Sequence, residues 1–187
     1  MNDSLIVGPF KQILTMDTLP ESGPIFDDAL EIISNGYVLI EDQNIAKVLT
    51  GTEFQSDAIK ASHSSDTKVH EIVENAVLMP GFIDAHTHIC YAGTRAEDYG
   101  RRLSGESYLE IATQGGGILS TVSKTRAASQ LELEQGLLKR ARKHLLEGVT
   151  TCEVKSGYGL KKDAELKMLR AIHSLNQKRR LTDESPA

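Results

Sequence analysis

The chain has 187 residues, of which 40% are hydrophobic and 25% are charged, values typical of a folded globular protein rather than a disordered or fibrous one. Its formal net charge of −5 at pH 7 argues against nucleic acid as a partner, because binding a phosphate backbone requires a basic face. No apolar run approaches the roughly 20 residues of a membrane span and the first residues lack a signal-peptide pattern, so we expect a cytoplasmic protein without a membrane partner.

Short strands and turns are predicted for the first part of the chain. The apolar segments SLIV and QILTM predict two brief strands, and TLPESGP, residues 18–24, has the composition of a loop. The segment GYVLIEDQNIAKVL, residues 36–49, contains two strand-like runs around the polar EDQN. It predicts a β-hairpin.

A loop and a further strand follow. The serine-rich segment FQSDAIKASHSSDTK predicts a surface loop, and VHEIVE predicts a short strand. The histidines of this region, His63 and His70, have no ligand partner at a usable spacing. We expect both to be structural or exposed.

From about Val77 the pattern changes to alternating strands and helices. The segment VLMPGFIDA predicts one apolar strand that is buried on both faces, and VTTCEV, residues 149–154, predicts a second buried strand. Between them, Ser129 and Glu132 form a capping-box pattern that predicts a helix start. Gly148 is placed to end that helix. The apolar positions of the helix are Leu133, Leu137, Leu138, Ala141 and Leu145.

A second helix is predicted over residues 164–177. Its apolar positions are Leu166, Leu169, Ile172 and Leu175. His144 and His173 lie on the two helices, where packing or surface positions are the favoured interpretation. The order strand, helix, strand, helix is typical of a parallel sheet or barrel, so the fold class is α/β.

Two histidines follow the predicted strand at residues 77–85. His86 and His88 are two positions apart, and residues i and i+2 of a strand project to the same side. Two neutral imidazoles suit zinc or iron, so the pair predicts half of a metal site. Asp84 shares their parity and either orients a histidine or caps the strand.

The two cysteines, Cys90 and Cys152, are too few for a disulfide framework or a four-thiolate zinc site. Each lies in an apolar run, which predicts a buried thiol in a reducing compartment. Cys90 follows His88 by two positions, so a ligand role is the less favoured alternative.

The segment PGFIDAHTH resembles the first barrel strand of the amidohydrolase superfamily of metal-dependent hydrolases. Four further stretches narrow the resemblance to the imidazolonepropionase family. They are AGTRAEDY, SYLEIATQGGGILSTVSKTRAAS, GVTTCEVKSGYGL and ELKMLRAI. The resemblance implies an incomplete TIM-like (β/α) barrel of the amidohydrolase type, preceded by part of a small β-sandwich. We therefore assign residues 1–76 to the partial sandwich and residues 77–187 to the first βα units of a truncated barrel.

The resemblance also implies roles for individual residues. His86 and His88 match metal ligands of the family, for one divalent or trivalent ion, zinc or iron. Arg95, Tyr108 and Tyr158 match substrate-binding positions. An arginine fork pairs bidentately with a carboxylate such as a propionate tail, and a phenol can hydrogen-bond a substrate while its ring packs against it. From the residues alone, Arg95 is interpreted as a surface ion pair, Tyr108 as a helix core residue and Tyr158 as a loop anchor.

Two other features receive structural roles. The segment QGGGI, residues 114–118, lets backbone approach closely and is not a phosphate loop, because no G-K-[ST] follows. Lys155 is not matched to the carboxylated lysine of two-metal relatives. It is interpreted as structural.

The implied reaction is hydrolysis of the cyclic amide of 4-imidazolone-5-propanoate to N-formimidoyl-L-glutamate, in histidine degradation. No catalytic residue is assigned within this chain, because the general base and the remaining metal ligands are expected from later strands. A complete barrel needs about 250 residues. We therefore expect the chain alone to be poorly stable and inactive, and full-length members of the family to form homodimers. The alternatives are another cyclic-amide amidohydrolase or deaminase, or a non-catalytic binding or partner module.

Overall fold

The structure is a computed structural model that describes residues 4–56 and 67–178. The chain divides into two compact units after Pro80, close to the domain boundary assigned after residue 76. The first unit is built on one β-sheet and the second contains both strands and helices.

The described part of the first unit contains five strands, a 3-10 turn at Asp27–Ala29 and the short helix α1 at Gly51–Gln55. The strands are β1 (Ser4–Leu14), β2 (Ile32–Glu41), β3 (Asn44–Leu49), β4 (Lys68–Glu71) and β5 (Val77–Leu78). They form one sheet in the order β3-β2-β1-β4, with β5 also paired to β1. Strands β1, β2 and β3 pair antiparallel, whereas β4 and β5 run parallel to β1.

The predicted hairpin is confirmed. Glu41 pairs with Asn44, and the two intervening residues, Asp42 and Gln43, have φ values of +53° and +87°. Two consecutive left-handed residues are typical of the tight turn that joins twisted antiparallel strands. The predicted loop at residues 18–24 and the strand within VHEIVE are also confirmed.

The two brief strands predicted from SLIV and QILTM are the two ends of one strand, β1. The register of its pairing with β2 shifts between Val7 and Phe10, where Gly8 and Pro9 interrupt the ladder. A bulge of this kind bends a strand without ending it, so the prediction of two strands was wrong.

The predicted loop FQSDAIKASHSSDTK is described only at its edges. Phe54 and Gln55 end helix α1, whose first turn is held by a capping box between Thr50 and Glu53. His63 lies outside the described residues. His70 is exposed in β4.

The second unit contains two parallel strands and five helices among its described residues. They are β6 (Phe82–Thr87), α2 (Ala96–Leu103), α3 (Tyr108–Thr113), α4 (Gly117–Ala127), α5 (Gln130–Leu146), β7 (Val149–Val154) and α6 (Lys162–Gln177). Strands β6 and β7 are hydrogen-bonded in parallel, so the predicted βαβα order is confirmed. Its core is formed by Cys90, Leu133, Leu137, Met168 and Ala171.

Helix α5 begins and ends as predicted. The Ser129 hydroxyl accepts the Glu132 backbone N–H, and the Glu132 carboxylate accepts the Ser129 backbone N–H. Gly148 follows the helix with φ +87° and donates its N–H to the Leu145 carbonyl. These contacts satisfy backbone groups that a helix end otherwise leaves unpaired.

The predicted burial was wrong for both strands: β7, from VTTCEV, has no buried residue, and β6 has only Thr87 buried. The segment VLMPGFIDA is divided at Pro80 and Gly81, so Val77 and Leu78 pair with β1 in the first unit while β6 belongs to the second. Phe82 is 55% exposed and Ile83 is 73% exposed. Within the described residues their sheet has two strands, which leaves much of its apolar surface without cover.

The apolar stripe predicted for α6 also needs correction. Met168 and Ala171 are fully buried in the core, whereas Leu166 and Leu169 are 37% and 47% exposed. Ile172 and Leu175 pack against the same core. The buried face therefore consists of positions 168, 171, 172 and 175, which also have helical spacing. Positions 172 and 175 were predicted, whereas 168 and 171 replace 166 and 169.

Replacing Ser129 by Ala is expected to lower the free energy of unfolding of the second unit by about 1 kcal/mol, because α5 loses its N-cap acceptor. Urea titration of both proteins measures the difference. Ser123→Ala, an exposed serine within α4, is the matched control and should leave stability unchanged or slightly raised. Equal losses in both variants would contradict a capping role.

The same cap carries a pH dependence. The backbone N–H and the hydroxyl of Ser129 hold the pKa of Glu132 below its ordinary value of 4.5. Because the pKa is lower in the folded than in the unfolded chain, this stabilisation is complete above pH 4.5 and is lost as pH falls through the folded-state pKa. The loss of stability on acidification should therefore be smaller in Ser129→Ala.

Candidate functional site

The two predicted ligand histidines lie together at the carboxyl end of β6. Their ring centroids are 5.2 Å apart with an interplanar angle of 66°. His86 is exposed and His88 is half-buried. Thr87, between them, is buried and donates its hydroxyl to the Glu153 carbonyl at 2.6 Å. Strand alternation therefore turns Thr87 toward β7 and leaves the two imidazoles beside each other.

Tyr158 lies against this pair. Its ring meets the His88 ring edge to face, with centroids 5.9 Å apart. The preceding residue, Gly157, has φ +144°, and a Cβ at this position would lie 3.0 Å from His88 Cε1. A glycine is required here because a methyl group would press on the His88 ring.

A second tyrosine extends the cluster. Tyr91 packs edge to face on Tyr158 at 5.7 Å, and the Arg140 guanidinium lies 3.6 Å from the centre of the Tyr91 ring. Arg140 also donates Nη1 to the Ile89 carbonyl at 2.9 Å. This contact couples α5 to the segment after β6. Sequence reasoning missed Tyr91 and Arg140, because their contact joins residues far apart in the chain and no local spacing indicates it.

Arg95, the predicted carboxylate ligand, precedes α2. Its Nε donates to Asp98 Oδ2 at 3.0 Å, and the same oxygen accepts the Gly117 backbone N–H at 2.9 Å. The Gly117 N–H holds the pKa of Asp98 below its usual range, against burial, and Arg95 adds to the effect. Among the described residues no partner binds the terminal nitrogens of Arg95, whose side chain is 42% exposed. Its open edge can therefore receive a carboxylate.

Tyr108 lies close to Asp98 and Gly117, the residues described beside Arg95. It is the first residue of α3, after a capping box between Ser107 and Glu110, and it is 48% exposed rather than part of a helix core. A Cβ on Gly117 would lie 3.4 Å from the Tyr108 hydroxyl, so this hydroxyl is close to the backbone that Asp98 binds. Arg95, Asp98, Gly117 and Tyr108 form what we call the arginine cluster.

Within QGGGI, Gly116 shows the predicted close backbone approach, whereas a Cβ on Gly115 would meet no atom within 4 Å. A Cβ on Gly116 would lie 2.6 Å from Ile111 Cγ2 and 2.7 Å from Asp98 Oδ1. Gly117 has φ +70° and begins α4. Asp98 was not predicted as a site residue, although its position three residues after Arg95 is a spacing at which an ion pair forms on a helix.

The cysteines are not part of the histidine face. Cys90 is fully buried in the core with its Sγ 3.8 Å from the Met168 carbonyl. Burial raises the pKa of the Cys90 thiol to about 11, and burial also raises the pKa of Cys152, to which the charge of Asp84 contributes. The predicted burial is confirmed for Cys90, which agrees with a structural thiol, but it was wrong for Cys152, which is half-buried.

The remaining candidates have local roles. Asp84 accepts the backbone N–H of His86 at 3.2 Å and therefore fixes the strand end. Lys155 lies 3.7 Å from Glu153 in an exposed ion pair. His173 is exposed, and His144 is half-buried with Nδ1 lacking a hydrogen-bond partner among the described residues.

The histidine pair fits two positions of a zinc or iron site, because two imidazoles on the same side of a strand end can bind one ion. Catalytic metal sites usually have three protein ligands. Within residues 4–56 and 67–178, no group of three or more histidine, cysteine, aspartate or glutamate side chains is arranged to hold a metal ion.

Curated relatives of the chain are imidazolonepropionases. That of Symbiobacterium thermophilum is 45% identical over 181 residues, which cover 96% of this chain and 41% of the relative. That of Solibacter usitatus is 43% identical over 97% of this chain and 42% of the relative. The chain thus spans about two fifths of the length of the relatives it matches. No protein-family model matches it.

Solved structures show a shared fold at low identity. Guanine deaminase from E. coli has a TM-score of 0.55 at 13% identity, covering 95% of this chain and 34% of the deaminase. Ochratoxinase from A. niger has a TM-score of 0.50 at 18% identity, covering 92% and 29% respectively. The predicted α/β fold class, shared with these two enzymes, is confirmed. No helix in the described part of the chain has the length and apolar character needed to cross a membrane.

Proposed function

We propose that this chain, which is homologous to the N-terminal portion of the imidazolonepropionases, supplies two metal ligands and part of the substrate pocket of a hydrolase that opens 4-imidazolone-5-propanoate to N-formimidoyl-L-glutamate. The observation that carries the proposal is the His86–His88 pair, with Tyr158 packed against it, at the carboxyl end of β6. Active sites of (β/α) barrels lie at this end of the strands. The second unit is accordingly proposed to be the first βα units of such a barrel.

The two imidazoles define the chemistry proposed at the strand end. A zinc or iron ion held by His86 and His88 would supply Lewis acidity toward the ring carbonyl and lower the pKa of water. Ring opening consumes one water: a C–O bond forms at the amide carbon, the C–N bond breaks and the nitrogen takes a proton. Among the described residues we assign no general base for these proton transfers.

Arg95 is proposed to bind the propionate carboxylate. Asp98 holds the Nε edge of its guanidinium, which leaves the Nη edge available for a bidentate contact. Because the charge of Asp98 is also shared with the Gly117 N–H, Arg95 is not fully neutralised. The arginine can therefore still attract an anionic tail.

The two tyrosines are proposed to flank the substrate. The edge of the Tyr158 ring against His88 places a phenol next to the histidines, where it can hydrogen-bond a polar ring while packing on it. The exposed Tyr108 lies beside Gly117 in the arginine cluster, where its hydroxyl can donate to the same carboxylate. We also propose that the hydrolase is located in the cytoplasm and forms a homodimer.

Arg95→Ala tests the substrate assignment. We expect KM for 4-imidazolone-5-propanoate to rise about 10- to 100-fold in the protein that carries this sequence, because a charge-assisted pair contributes roughly 1.5–3 kcal/mol. The change in kcat should be much smaller. Steady-state kinetics measures both values.

Arg102→Ala is the matched control, because Arg102 is an exposed arginine in α2, the helix that follows Arg95. The unchanged protein should bind a substrate analogue with a carboxamide in place of the carboxylate more weakly than it binds the substrate. Arg95→Ala should weaken the binding of this analogue only slightly further. Equal losses for both substrates on Arg95→Ala would refute the carboxylate contact. Deamination of a cyclic substrate without ring opening would support the alternative of a deaminase.

A further inference from the structure

The loop between β7 and α6 carries the residues that touch His88. We call Ser156–Gly159 the SGYG loop. Gly157 lies against the His88 ring, and Tyr158 packs on that ring edge to face. The position of the imidazole therefore depends on where this loop is held.

Glu165, in the first turn of α6, binds the end of the loop. Its Oε1 accepts the backbone N–H groups of Gly159 at 2.8 Å and of Leu160 at 2.7 Å. Leu160 has φ +50°, a left-handed conformation that is unfavourable for a leucine. Two hydrogen bonds to one carboxylate oxygen offset that strain and fix the turn into the helix.

A second contact holds the same peptide segment from the other side. Arg126 donates its Nε to the Gly159 carbonyl at 2.6 Å. A Cβ on Gly159 would lie 2.6 Å from the backbone nitrogen of Glu165, so the loop is pressed against the start of α6. Gly159 is thus bound through both its N–H and its carbonyl.

The carboxylate is ionised at neutral pH. Burial raises the pKa of Glu165, but the nearby hydroxyl of Ser156 and the N–H groups of Leu160, Gly159 and Gly157 outweigh it and leave the pKa below its ordinary value. The charged form is the one that accepts these hydrogen bonds most strongly.

We propose that Glu165 is a positioning residue for His88, acting through the SGYG loop. It holds Gly159 and Leu160, which places Gly157 and Tyr158 on two sides of the imidazole and restricts the ring to one orientation. The space beside the ring is small, because a Cβ on Gly157 would lie only 3.0 Å from His88 Cε1, so a small shift of the loop changes the freedom of the ring. The importance of this role for metal binding rests on the proposed function; the effect on the ring does not.

The test reads the His88 ring by NMR in the metal-free protein that carries this sequence, with histidine, glycine and leucine selectively labelled. We compare the unchanged chain with Glu165→Ala, Glu165→Gln and Asp163→Ala. Asp163 is an exposed carboxylate in the same turn and serves as the matched control for loss of charge. The readouts are the NOE between the His88 ring and Gly157 Hα and the chemical shift of His88 Cε1–H.

In Glu165→Ala we expect loss of the NOE and a shift of His88 Cε1–H toward the value of the exposed His173. Glu165→Gln keeps an acceptor oxygen and should restore the NOE in part. Asp163→Ala should match the unchanged chain. If Glu165→Ala does not fold, Glu165→Gln decides the question, since a weaker acceptor should still reduce the NOE while helix content by circular dichroism is retained.

Unchanged His88 signals in a folded Glu165 variant, with shifted amides of Gly159 and Leu160, would overturn the proposal. Gly157→Ala gives an independent check, because a methyl group there should move the His88 signals while Glu165 still binds Gly159. Zinc titration separates this inference from the proposed function. If zinc leaves His86 and His88 unaffected in the protein that carries this sequence, the metal assignment fails, whereas the effect of Glu165 on the ring is decided without metal.

Discussion

Replacing His86 or His88 by alanine is expected to lower kcat/KM for ring opening at least about 1,000-fold in the protein that carries this sequence. A Lewis acid lowers the activation free energy of a hydrolysis by several kcal/mol, and each 1.36 kcal/mol corresponds to about tenfold in rate. The two rings lie 5.2 Å apart and make no hydrogen bond through their ring nitrogens to other described residues, so either substitution removes a ligand with little effect on the strand. Metal content after purification should fall in parallel.

His173→Ala is the control, because His173 is an exposed histidine on α6. It should leave both metal content and kcat/KM unchanged. Full activity in His88→Ala, with normal metal content, would show that the metal is held elsewhere and would remove the basis of the proposed function. Loss of activity with metal retained would instead assign the histidine a role in binding substrate.

Leu133→Ala is expected to lower the free energy of unfolding of the second unit by about 3 kcal/mol. Leu133 has no exposed surface and lies in the core with Cys90 and Met168. Removing a buried leucine side chain loses its transfer free energy and leaves a cavity. A domain is stable by only about 5–15 kcal/mol, so the loss is a large part of the total. Urea denaturation followed by circular dichroism measures it.

Leu131→Ala is the matched control. It lies one half-turn away on the same helix, is 61% exposed and receives the same substitution. Its effect should stay within about 0.5 kcal/mol. If both variants lost the same stability, the core described around α5 would be wrong.

Local patterns predicted the elements that local chemistry controls. The capping box at Ser129 and the polar turn at Asp42 both specify backbone hydrogen bonds within a few residues, and the structure contains them. Burial was predicted less well. An apolar run such as VLMPGFIDA shows that a strand can be buried, but whether Ile83 is covered depends on which elements lie against the sheet. That information is not present in the spacing of the residues.

In the candidate site, too, some residues were predicted from local sequence patterns and others were missed. His86 and His88 were identified by strand parity, and their adjacency follows from it. Asp98 was missed although its spacing from Arg95 indicates an ion pair. Glu165 was missed because its partners are backbone N–H groups, which have no sequence signature.

The two groups of candidate residues are built on different parts of the second unit. The histidines and Tyr158 lie on the segments after β6 and β7, whereas the arginine cluster joins α2, α3 and α4 through Asp98. Within residues 67–178 their link is indirect: Arg126 of α4 donates its Nε to the carbonyl of Gly159, the residue after Tyr158. If the proposed roles are right, mutations of α2 and α3 can change the acid that a descendant binds without altering the histidines, whereas a mutation of α4 at Arg126 affects both groups.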